Sequence, residues 1–415
     1  SQRVTDSLIF SNVTATPVVS SNGKWAIVSQ SQQTSVWDVG RNQPLAGTWE
    51  LERFALSSDE SKIAGVQTNG SSVFIRELPS SRLLCPPLQH NSVVSLIAFD
   101  PTGRWLLTAS AAPESETLGS ARIWDAATGK PMSDWIDVSS QPRGAAFSPD
   151  GEAVAIFPKW PRSTHEPLTS VVVLDLPSGQ ARFPAVTIGG AVDSVVFSPD
   201  GRHLAIGPKA FPLQVFNALT GEVRHGDLRH ENVHDLLLRC SPDGAWLAAA
   251  GETGVQIWDL RSGARTGSPL RLNQTIVGLD FLPAGNRLLC ADASGLINIC
   301  DLANSEMSIP TYAPPDRWLA TSGRFSPDGT RLATVSAEGD VNIWPLGGES
   351  RLPTELRAKS QKATYDRFLE TQIAWSPDGA LLASARNDST VRLWVVATGQ
   401  ELHSPLQHDG FVPHL

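Results

Sequence analysis

The most constraining feature of this sequence is a short turn motif that returns along the whole chain. The letters Ser-Pro-Asp-Gly occur five times, and four related stretches occupy the remaining positions of the repeat. Proline restricts φ, and Asp-Gly supplies a polar bend and a left-handed position, so each copy predicts a tight turn between two strands. The nine motifs begin at Ser20, Ser57, Asp100, Ser148, Ser198, Ser241, Leu282, Ser326 and Ser376.

After each turn comes an apolar run, then a polar or Gly-containing break, then a second run that closes on an aromatic residue or a substitute for it. These closing residues stand 39 to 50 positions apart. Short strands at this period, without helical periodicity, predict an all-β chain with one small sheet per repeat. The closing residues are Trp37, Arg76, Trp124, Leu174, Phe216, Trp258, Cys300, Trp344 and Trp394.

The strand before each turn carries apolar residues on both of its faces. In the segment VDSVVF (192–197), simple alternation puts Val192 and Val196 on one face, and Val195 and Phe197 on the other. We therefore expect each sheet to be covered on both sides by neighbouring sheets. Radial stacking of such sheets satisfies this condition and leaves no long exposed edge.

Three segments that follow these hairpins have a recognisable pattern: ARIWDAATGK (121–130), VQIWDLRSG (255–263) and VRLWVVATGQ (391–400). They resemble the WD-repeat β-propeller family, particularly its bacterial members, and the repeats extend the resemblance over essentially the whole chain. The resemblance implies one propeller domain over residues 1–415, built of four-stranded antiparallel blades. In that family the Ser-Pro-Asp-Gly turn joins the innermost two strands of a blade.

Nine hairpins in phase predict nine blades in one ring; the alternative is a seven-bladed ring followed by two blades of a second. A ring of this family is closed by a strand from one chain end. Two segments, SLIF (7–10) and PLQHDG (405–410), both align as outer strands. The sequence leaves open which of them closes the ring.

Members of the family often carry a buried network in each blade, made of a His, a Ser or Thr, an Asp and the Trp. No repeat of this chain has the full set, so we expect apolar packing and water to replace it. The resemblance implies structural roles for five tryptophans: Trp37, Trp124, Trp258, Trp344 and Trp394. The polar residues that precede them at network positions are His90 and Ser110 before Trp124, His230 and Glu252 before Trp258, and Asp388 before Trp394. His230 and Glu252 are the best candidates for a surviving pair.

Net charge limits the kinds of partner that this chain can bind, and the cysteine spacing limits its disulfides. The chain has a formal net charge of −9 and a pI near 5.5, so its field repels a phosphate backbone or an anionic membrane surface. No apolar stretch approaches the length of a membrane helix. We expect a cytoplasmic monomer that binds neither nucleic acid nor membrane, and we expect the chain to be a piece of a longer protein. The four cysteines show no metal-binding spacing, and we expect them to form no disulfide: Cys85, Cys240, Cys290 and Cys300.

Motifs of catalysis are absent from the sequence: there is no phosphate-binding loop, metal-binding HExxH helix or nucleophile elbow. The segment HENVHD (230–235) offers metal ligands only superficially, and we interpret it as a solvated connection. We expect no cofactor, no metal and no enzymatic activity. The favoured function is a protein-interaction scaffold, or the sensor or docking domain of a larger bacterial regulatory protein; the alternative is a propeller enzyme or small-molecule sensor that uses the channel mouth.

Three successive hairpins have long connections between their second and third strands, at 111–120, 158–170 and 208–213. Loops longer than hairpin closure requires often bind partners. We expect a mixed aromatic and basic patch that contacts an acidic or proline-containing protein segment; the alternative is that Trp160 and Phe211 fold back onto their own blades. The patch consists of Trp160, Arg162, His165, Lys209 and Phe211.

Substitution of Glu252 by Ala tests the predicted pair with His230. If the two side chains interact, the substitution removes one partner of a buried polar contact and lowers the melting temperature. Thermal unfolding followed by circular dichroism measures this change. An unchanged melting temperature would count against the pair.

Overall fold

In the computed structural model, all described secondary structure is β-strand. The structure describes residues 18–19, 25–30, 33–38, 43–45, 51, 53–67, 70–111, 118–139, 142, 144–158, 168–208, 212–230, 236–251, 254–266, 270–271, 276–282, 285, 287–292, 297–302, 306–307, 320–336, 341–345, 354–356, 373–376, 378–385, 390–402 and 406–407.

The strands of this part of the chain form nine antiparallel sheets, numbered 1 to 9 here in chain order. Within each sheet the first four strands lie side by side in the order in which they follow one another along the chain, and the fifth strand of the last sheet pairs with its third. Sheet 1 contains β1 (Val18–Val19), β2 (Trp25–Gln30), β3 (Gln33–Asp38) and β4 (Gln43–Pro44). Sheet 2 contains β5 (Arg53–Leu56), β6 (Lys62–Val66), β7 (Ser72–Glu77) and β8 (Leu88–Gln89). Sheet 3 contains β9 (Val94–Phe99), β10 (Trp105–Ala111), β11 (Leu118–Asp125) and β12 (Ile136–Ser139).

The next three sheets repeat this plan. Sheet 4 contains β13 (Gly144–Phe147), β14 (Ala153–Phe157), β15 (Leu168–Asp175) and β16 (Val186–Gly189). Sheet 5 contains β17 (Val192–Phe197), β18 (His203–Pro208), β19 (Leu213–Asn217) and β20 (Val223–Leu228). Sheet 6 contains β21 (Leu237–Cys240), β22 (Trp246–Ala250), β23 (Gly254–Asp259) and β24 (Leu270–Arg271).

The last three sheets complete the series. Sheet 7 contains β25 (Ile276–Phe281), β26 (Arg287–Asp292), β27 (Ile297–Asp301) and β28 (Glu306–Met307). Sheet 8 contains β29 (Ala320–Phe325), β30 (Arg331–Ser336), β31 (Val341–Pro345) and β32 (Thr354–Leu356). Sheet 9 contains β33 (Ile373–Trp375), β34 (Leu381–Ala385), β35 (Thr390–Val395), β36 (Gln400–Glu401) and β37 (Leu406–Gln407).

The turn motif and the closing residue take the same place in every sheet. Each predicted turn joins the first strand to the second, and each closing residue is the last but one of the third strand. The glycine of the turn adopts the predicted left-handed conformation, with φ of +71° at Gly151 and +70° at Gly201. The predicted all-β arrangement of four-stranded antiparallel sheets is therefore confirmed.

A row of large apolar side chains crosses sheets 3, 4, 5 and 9 next to this turn. In sheet 3, Phe99 pairs with Leu106, which pairs with Trp124. The corresponding row in sheet 9 is Trp375, Leu382 and Trp394. Cross-strand neighbours on one face of a sheet pack closely, so the row ties three strands together. In sheets 4 and 5 the row begins at Phe147 and Phe197, each of which precedes Ser-Pro-Asp-Gly.

Contacts divide the chain into two compact units. The first consists mainly of residues 50–252 and 256–265, and the second mainly of residues 14–49 and 266–415. Sheets 2 to 5 and most of sheet 6 belong to the first unit. Sheets 1, 7, 8 and 9 belong to the second.

Within the first unit, the hydrophobic core lies between consecutive sheets. One cluster of buried residues joins sheets 2 and 3, a second joins sheets 3 and 4, a third joins sheets 4 and 5, and a fourth joins sheets 5 and 6. In β9, Ile97 and Phe99 belong to the cluster with sheet 2, whereas Leu96 and Ala98 belong to the cluster with sheet 4. Sheets 3 to 5 are thus covered on both faces, as predicted.

The predicted alternation of VDSVVF was wrong at its first residue. The pairing of β17 with β18 shifts between Val192 and Ser194. Such a bulge adds one residue to a strand and reverses the facing of the residues before it. Val192 consequently packs with Val195 and Phe197 against sheet 4, whereas Val196 packs on the side of sheet 6.

A second glycine series controls how closely neighbouring sheets approach. In sheets 3 to 6, the glycine five residues after the closing residue has a φ between +69° and +72°. A Cβ atom built on Gly129 would lie 2.5 Å from Sγ of Cys85 in the preceding sheet. A Cβ atom built on the glycine of sheet 4, 5 or 6 would likewise lie within 2.6 Å of a side-chain atom of the preceding sheet. These pairs are Gly179 with Ser133, Gly221 with Phe183, and Gly263 with His225.

Sheet 2 departs from this rule, because Ser81 stands at the glycine position. Ser81 has a φ of +59°, and its hydroxyl is buried with no hydrogen-bond partner. Its backbone is still held by the local turn, since the carbonyl accepts a hydrogen bond of 2.8 Å from Nη1 of Arg76. Sheet 2 therefore carries a left-handed serine where the neighbouring repeats carry glycine.

The C-terminal strand of the described chain belongs to sheet 9. Strand β37 pairs with β35 through Thr390 with Gln407 and Val391 with Leu406. Strand β8 pairs with β7 in the same way, through Ser72 with Gln89 and Val73 with Leu88. The prediction that PLQHDG supplies an outer strand is confirmed for Leu406–Gln407, whereas SLIF lies outside the described residues.

Replacement of Ser81 by Gly is expected to raise the free energy of unfolding by about 1 kcal/mol. Glycine adopts the left-handed conformation without a steric cost, and the buried hydroxyl without a partner is removed. The matched change Gly129→Ser is expected to lower stability by about 2–4 kcal/mol, because it adds both left-handed strain and a collision with Cys85. Urea unfolding of the two variants measures both effects, and equal changes of the same sign would contradict the interpretation.

Candidate functional site

The polar side chains of the turn motif bond to one another and to the turn backbone. In sheet 4, the hydroxyl of Ser148 donates to Oδ1 of Asp150 and accepts the backbone N–H of Ala153 at 2.8 Å. Oδ1 of Asp150 also accepts the N–H of Glu152 at 2.9 Å. The same bonds recur at Ser57, Ser198, Ser241, Ser326 and Ser376.

In two of these turns the hydrogen bonds lower the pKa of the aspartate. The hydroxyl of Ser326 lowers the pKa of Asp328 to about 2, and the hydroxyl of Ser376 lowers the pKa of Asp378. A carboxylate that accepts several hydrogen bonds is stabilised in its charged form. The recurring Ser and Asp side chains therefore bond within the hairpin and stabilise it.

Sheet 3 contains a buried chain of polar side chains around its closing tryptophan. Nε1 of Trp124 donates to Oγ1 of Thr108 at 2.7 Å, and the same oxygen lies 2.7 Å from Nε2 of His90. The expectation that Ser110 is the hydroxyl partner was wrong. Ser110 lies opposite Ser120, four residues or roughly 13 Å along β11 from Trp124, and bonds to the Ser120 hydroxyl at 3.1 Å.

The tautomer of His90 follows from its second nitrogen. Nδ1 lies 3.1 Å from the carbonyl oxygen of Leu88 and 3.3 Å from that of Ser71, which can only accept hydrogen bonds. Nδ1 therefore carries the proton and Nε2 accepts from Thr108. The proton order is Trp124 to Thr108 to His90 to the Leu88 carbonyl. Burial, with a smaller effect of the nearby Arg122 charge, lowers the pKa of His90 and keeps the ring neutral.

Two other sheets retain the tryptophan half of this arrangement. Nε1 of Trp344 donates to Oγ1 of Thr334 at 2.9 Å, and Nε1 of Trp394 donates to Oγ of Ser384 at 2.8 Å. Sheets 3, 8 and 9 thus satisfy the buried indole N–H with a hydroxyl. The expectation that packing and water replace side-chain bonds does not hold for these three sheets.

In sheet 6, the ring of His230 lies beside Trp258, with 6.3 Å between the ring centroids, and Nε2 lies 3.0 Å from the carbonyl oxygen of Ala249. Trp258 is buried, as are Trp124, Trp344 and Trp394. Glu252, Asp388 and the side chain of Trp37 lie outside the described residues. The pair of His230 with Glu252 stays a prediction.

The predicted partner-binding residues also fall outside the described part of the chain: Trp160, Arg162, His165, Lys209 and Phe211. The strands that carry their loops are described. The three long connections join β10 to β11, β14 to β15 and β18 to β19, which are the second and third strands of sheets 3, 4 and 5. These sheets pack consecutively, so the loops start from adjacent hairpins, and this placement came from the sequence.

Sites of other kinds were sought in the same residues. No group of three His, Cys, Asp or Glu side chains in the described part of the chain could hold a metal ion. None of the described segments is a helix that could span a membrane. None of the four cysteines takes part in a disulfide, and the strand pairing places Cys290 opposite Asn298 and Cys300 opposite Leu288. The predicted absence of a disulfide agrees with this pairing.

A comparison with known families and proteins gives a consistent picture. The family model "WD domain, G-beta repeat" matches residues 84–125, 317–345 and 371–395. An uncharacterized WD repeat-containing protein of Deinococcus radiodurans is 35% identical over 130 residues, which are 25% of this chain and 46% of that protein. The target of rapamycin complex subunit LST8 of Mus musculus is 33% identical over 110 residues, 26% of this chain and 32% of the subunit.

A third relative, WD repeat-containing protein SL1-17 of Schistosoma mansoni, is 28% identical over 108 residues, 26% of this chain and 35% of that protein. The chain spans less than half the length of each of these relatives. Among solved structures, a eukaryotic initiation factor is similar with a TM-score of 0.60 and 17% identity, over 84% of this chain and 90% of that one. The computationally designed Ika8 protein is similar with a TM-score of 0.53 and 17% identity, over 82% of this chain and 100% of that one. These two structures support the fold alone.

Replacement of Thr108 by Val is expected to destabilise the protein by about 2–4 kcal/mol. The change keeps the side-chain volume but leaves the Trp124 N–H and the His90 Nε2 buried without their shared partner. The matched change Ser110→Ala removes only the bond to Ser120 and should cost about 1 kcal/mol or less. Urea unfolding of both variants checks the assignment, which a larger cost for Ser110→Ala would reverse.

The lowered pKa of His90 predicts a pH-dependent stability contribution. Because the folded state binds the proton less tightly than the unfolded state, this contribution is present at neutral pH and is lost as pH falls from about 6.5 through the folded pKa. The stability difference between the wild-type chain and His90→Gln should therefore be larger at pH 7.5 than at pH 5. Urea unfolding at both pH values measures it, and a difference independent of pH would show that His90 does not titrate in this way.

Proposed function

We propose that this chain, which belongs to the WD-repeat family, is a non-catalytic scaffold that binds other proteins. One observation carries the proposal: the polar residues that recur in the repeat hydrogen-bond to the framework itself. In the described turns, Ser and Asp bond to each other, and in sheet 3 Thr108 joins Trp124 to His90. The recurring residues therefore maintain a rigid framework, and recognition is left to side chains and loops that differ from one repeat to the next.

The proposed partner surface is the group of long connections on sheets 3, 4 and 5. Its residues are Trp160, Arg162, His165, Lys209 and Phe211. Aromatic and Arg side chains contribute strongly at the centres of protein interfaces, and the prolines in the 158–167 connection restrict it before binding. An acidic or proline-containing segment would complement such a surface.

The proposal also covers the architecture and the context. We infer that the sheets are blades of one propeller spanning residues 1–415, with nine blades. The nine in-phase hairpins and the face-to-face packing of sheets 2 to 6 support this. Electron-microscopic projection along the ring axis counts the blades directly. By its resemblance to bacterial WD-repeat chains, the propeller serves as the sensor or docking domain of a larger regulatory protein.

Capture of partners from a lysate of the source cell tests the proposed function. The intact chain is compared with a double variant, Trp160→Ala with Arg162→Ala, and with the control Arg202→Ala. Arg202 is exposed on the turn at the opposite end of the sheet 5 hairpin from its long connection. We expect specific partners with the intact chain and the control, and at least a tenfold loss with the double variant.

Two outcomes would contradict the proposal in different ways. If all three proteins fold and recover the same partners, the partner surface lies elsewhere on the chain. If the intact chain recovers no specific partner, the scaffold function itself is wrong. Near-ultraviolet circular dichroism and the melting temperature establish that the variants are folded.

A further inference from the structure

Arg122 of sheet 3 is held in a corner formed by two indole rings. Its Cζ atom lies 5.0 Å from the ring centroid of Trp124 and 4.9 Å from that of Trp135. The two rings are nearly perpendicular, at 81°. Nε of Arg122 donates to the carbonyl oxygen of Ser133 at 3.0 Å. Cation–π attraction and this hydrogen bond together fix the plane of the guanidinium.

An equivalent arginine in sheet 9 forms an ion pair within its own sheet. Arg392 precedes Trp394 by two residues, as Arg122 precedes Trp124. Nη1 of Arg392 lies 2.6 Å from Oε1 of Glu401, which pairs with Trp394 on the fourth strand. In sheet 3 the residue paired with Trp124 is Pro131. Sheet 3 therefore has a proline, whose side chain carries no charge and accepts no hydrogen bond, where sheet 9 has a carboxylate.

The remaining N–H groups of Arg122 and Trp135 are accessible to solvent. The terminal nitrogens of Arg122 make no hydrogen bond or ion pair with the described residues, and they are not buried. Nε1 of Trp135 likewise has no partner there and is not buried. Both residues are half-buried, and Trp135 packs against the buried cluster that joins sheets 2 and 3. Two adjacent sets of N–H donors are thus presented without an acceptor.

We propose that Arg122 and Trp135 form a recognition site for a carboxylate, supplied by an Asp or Glu side chain of a partner protein. The guanidinium offers its terminal N–H groups to a planar oxyanion in a fork-like arrangement, and the indole N–H adds a neutral donor beside it. The inference deepens the proposed scaffold function and rests on it. It assigns a protein segment with an acidic side chain as the partner and places its contact beside β12, an edge strand of sheet 3.

Two physical considerations favour a single carboxylate on a protein over a polyanion. The net charge of −9 repels polyphosphates and nucleic acid at long range, so an acidic group must be recognised by local geometry. An exposed ion pair contributes little when both side chains must be ordered on binding. Arg122 is already ordered by two rings and a carbonyl, so less entropy is lost when the anion binds.

Titration with short peptides tests the site without a known partner. The probes are an acetylated, amidated tetrapeptide with one Glu among three Ala residues, the same peptide with Gln in place of Glu, and inorganic phosphate. The readout is the indole N–H signal of Trp135 in a ¹⁵N-labelled chain, assigned with Trp135→Phe. We expect the Glu peptide to shift this signal with saturation, and the Gln peptide to leave it unchanged.

Variants separate recognition from folding. Arg122→Gln should weaken Glu-peptide binding about tenfold, and Arg122→Lys, which keeps the charge but loses the fork, should weaken it less. Arg104→Gln is the matched control, because Arg104 stacks on the single ring of Trp105 in the same sheet, at 4.4 Å. It should bind like the wild-type chain. If Arg122→Gln is not folded, Trp135→Phe with an isothermal titration readout takes its place and should weaken binding severalfold.

The proposal is overturned if the Glu peptide does not shift the Trp135 signal, or if Arg122→Gln binds it as tightly as Arg104→Gln does. Phosphate binding tighter than the Glu peptide would also overturn it, since the ligand would then be a phosphate group. The scaffold function fails separately. If the wild-type chain and Arg122→Gln capture the same partners from a lysate, this site is wrong but the scaffold function stands. If the wild-type chain captures no partner, the scaffold function is wrong, and the peptide titration still decides whether the site exists.

Discussion

Sheets 2 to 6 depend on the face-to-face packing of each small sheet against the next. A four-stranded sheet with apolar residues on both faces exposes one of them unless a second neighbour covers it. In sheet 3, alternate residues of β9 enter two different buried clusters, one with sheet 2 and one with sheet 4. Glycine in the turn after the third strand permits the close approach, as Gly129 does against Cys85. Loss of one such contact therefore affects two sheets.

Polar residues serve this packing by removing unpaired groups from it. The hydroxyl and carboxylate of each described Ser-Pro-Asp-Gly turn satisfy the hairpin backbone, and Thr108 satisfies both Trp124 and His90. A buried donor without a partner costs more than the bond itself contributes, so such networks favour one packing over its alternatives. The tightly bonded polar residues are for this reason poor candidates for recognition.

Differences between copies of the repeat are more informative about function than the repeat itself. Arg392 has an internal carboxylate partner and is buried, whereas Arg122 at the same position has none and is half-buried. Ser81 occupies a left-handed position that other repeats give to glycine. A common framework makes each departure visible, because the neighbouring sheets show how the position is filled when it has only a structural role. Arg122 was missed in the sequence because it belongs to the pattern that resembles its family.

The sequence by itself determined the places of the nine turns and of the nine closing residues, because turn chemistry is a property of residues that are neighbours in the chain. The arrangement of four antiparallel strands in each sheet came from the resemblance to the family. The sequence also placed the long connections on three consecutive hairpins. Only the tertiary structure decided which side chains meet. A bulge in β17 reversed the facing of Val192, and the strand register selected Thr108 rather than Ser110 as the partner of Trp124. His90, Arg122 and Trp135 come together across a loop and two strands. Such contacts depend on register and on the distance between strands, and neither is set by residues that are neighbours in the sequence.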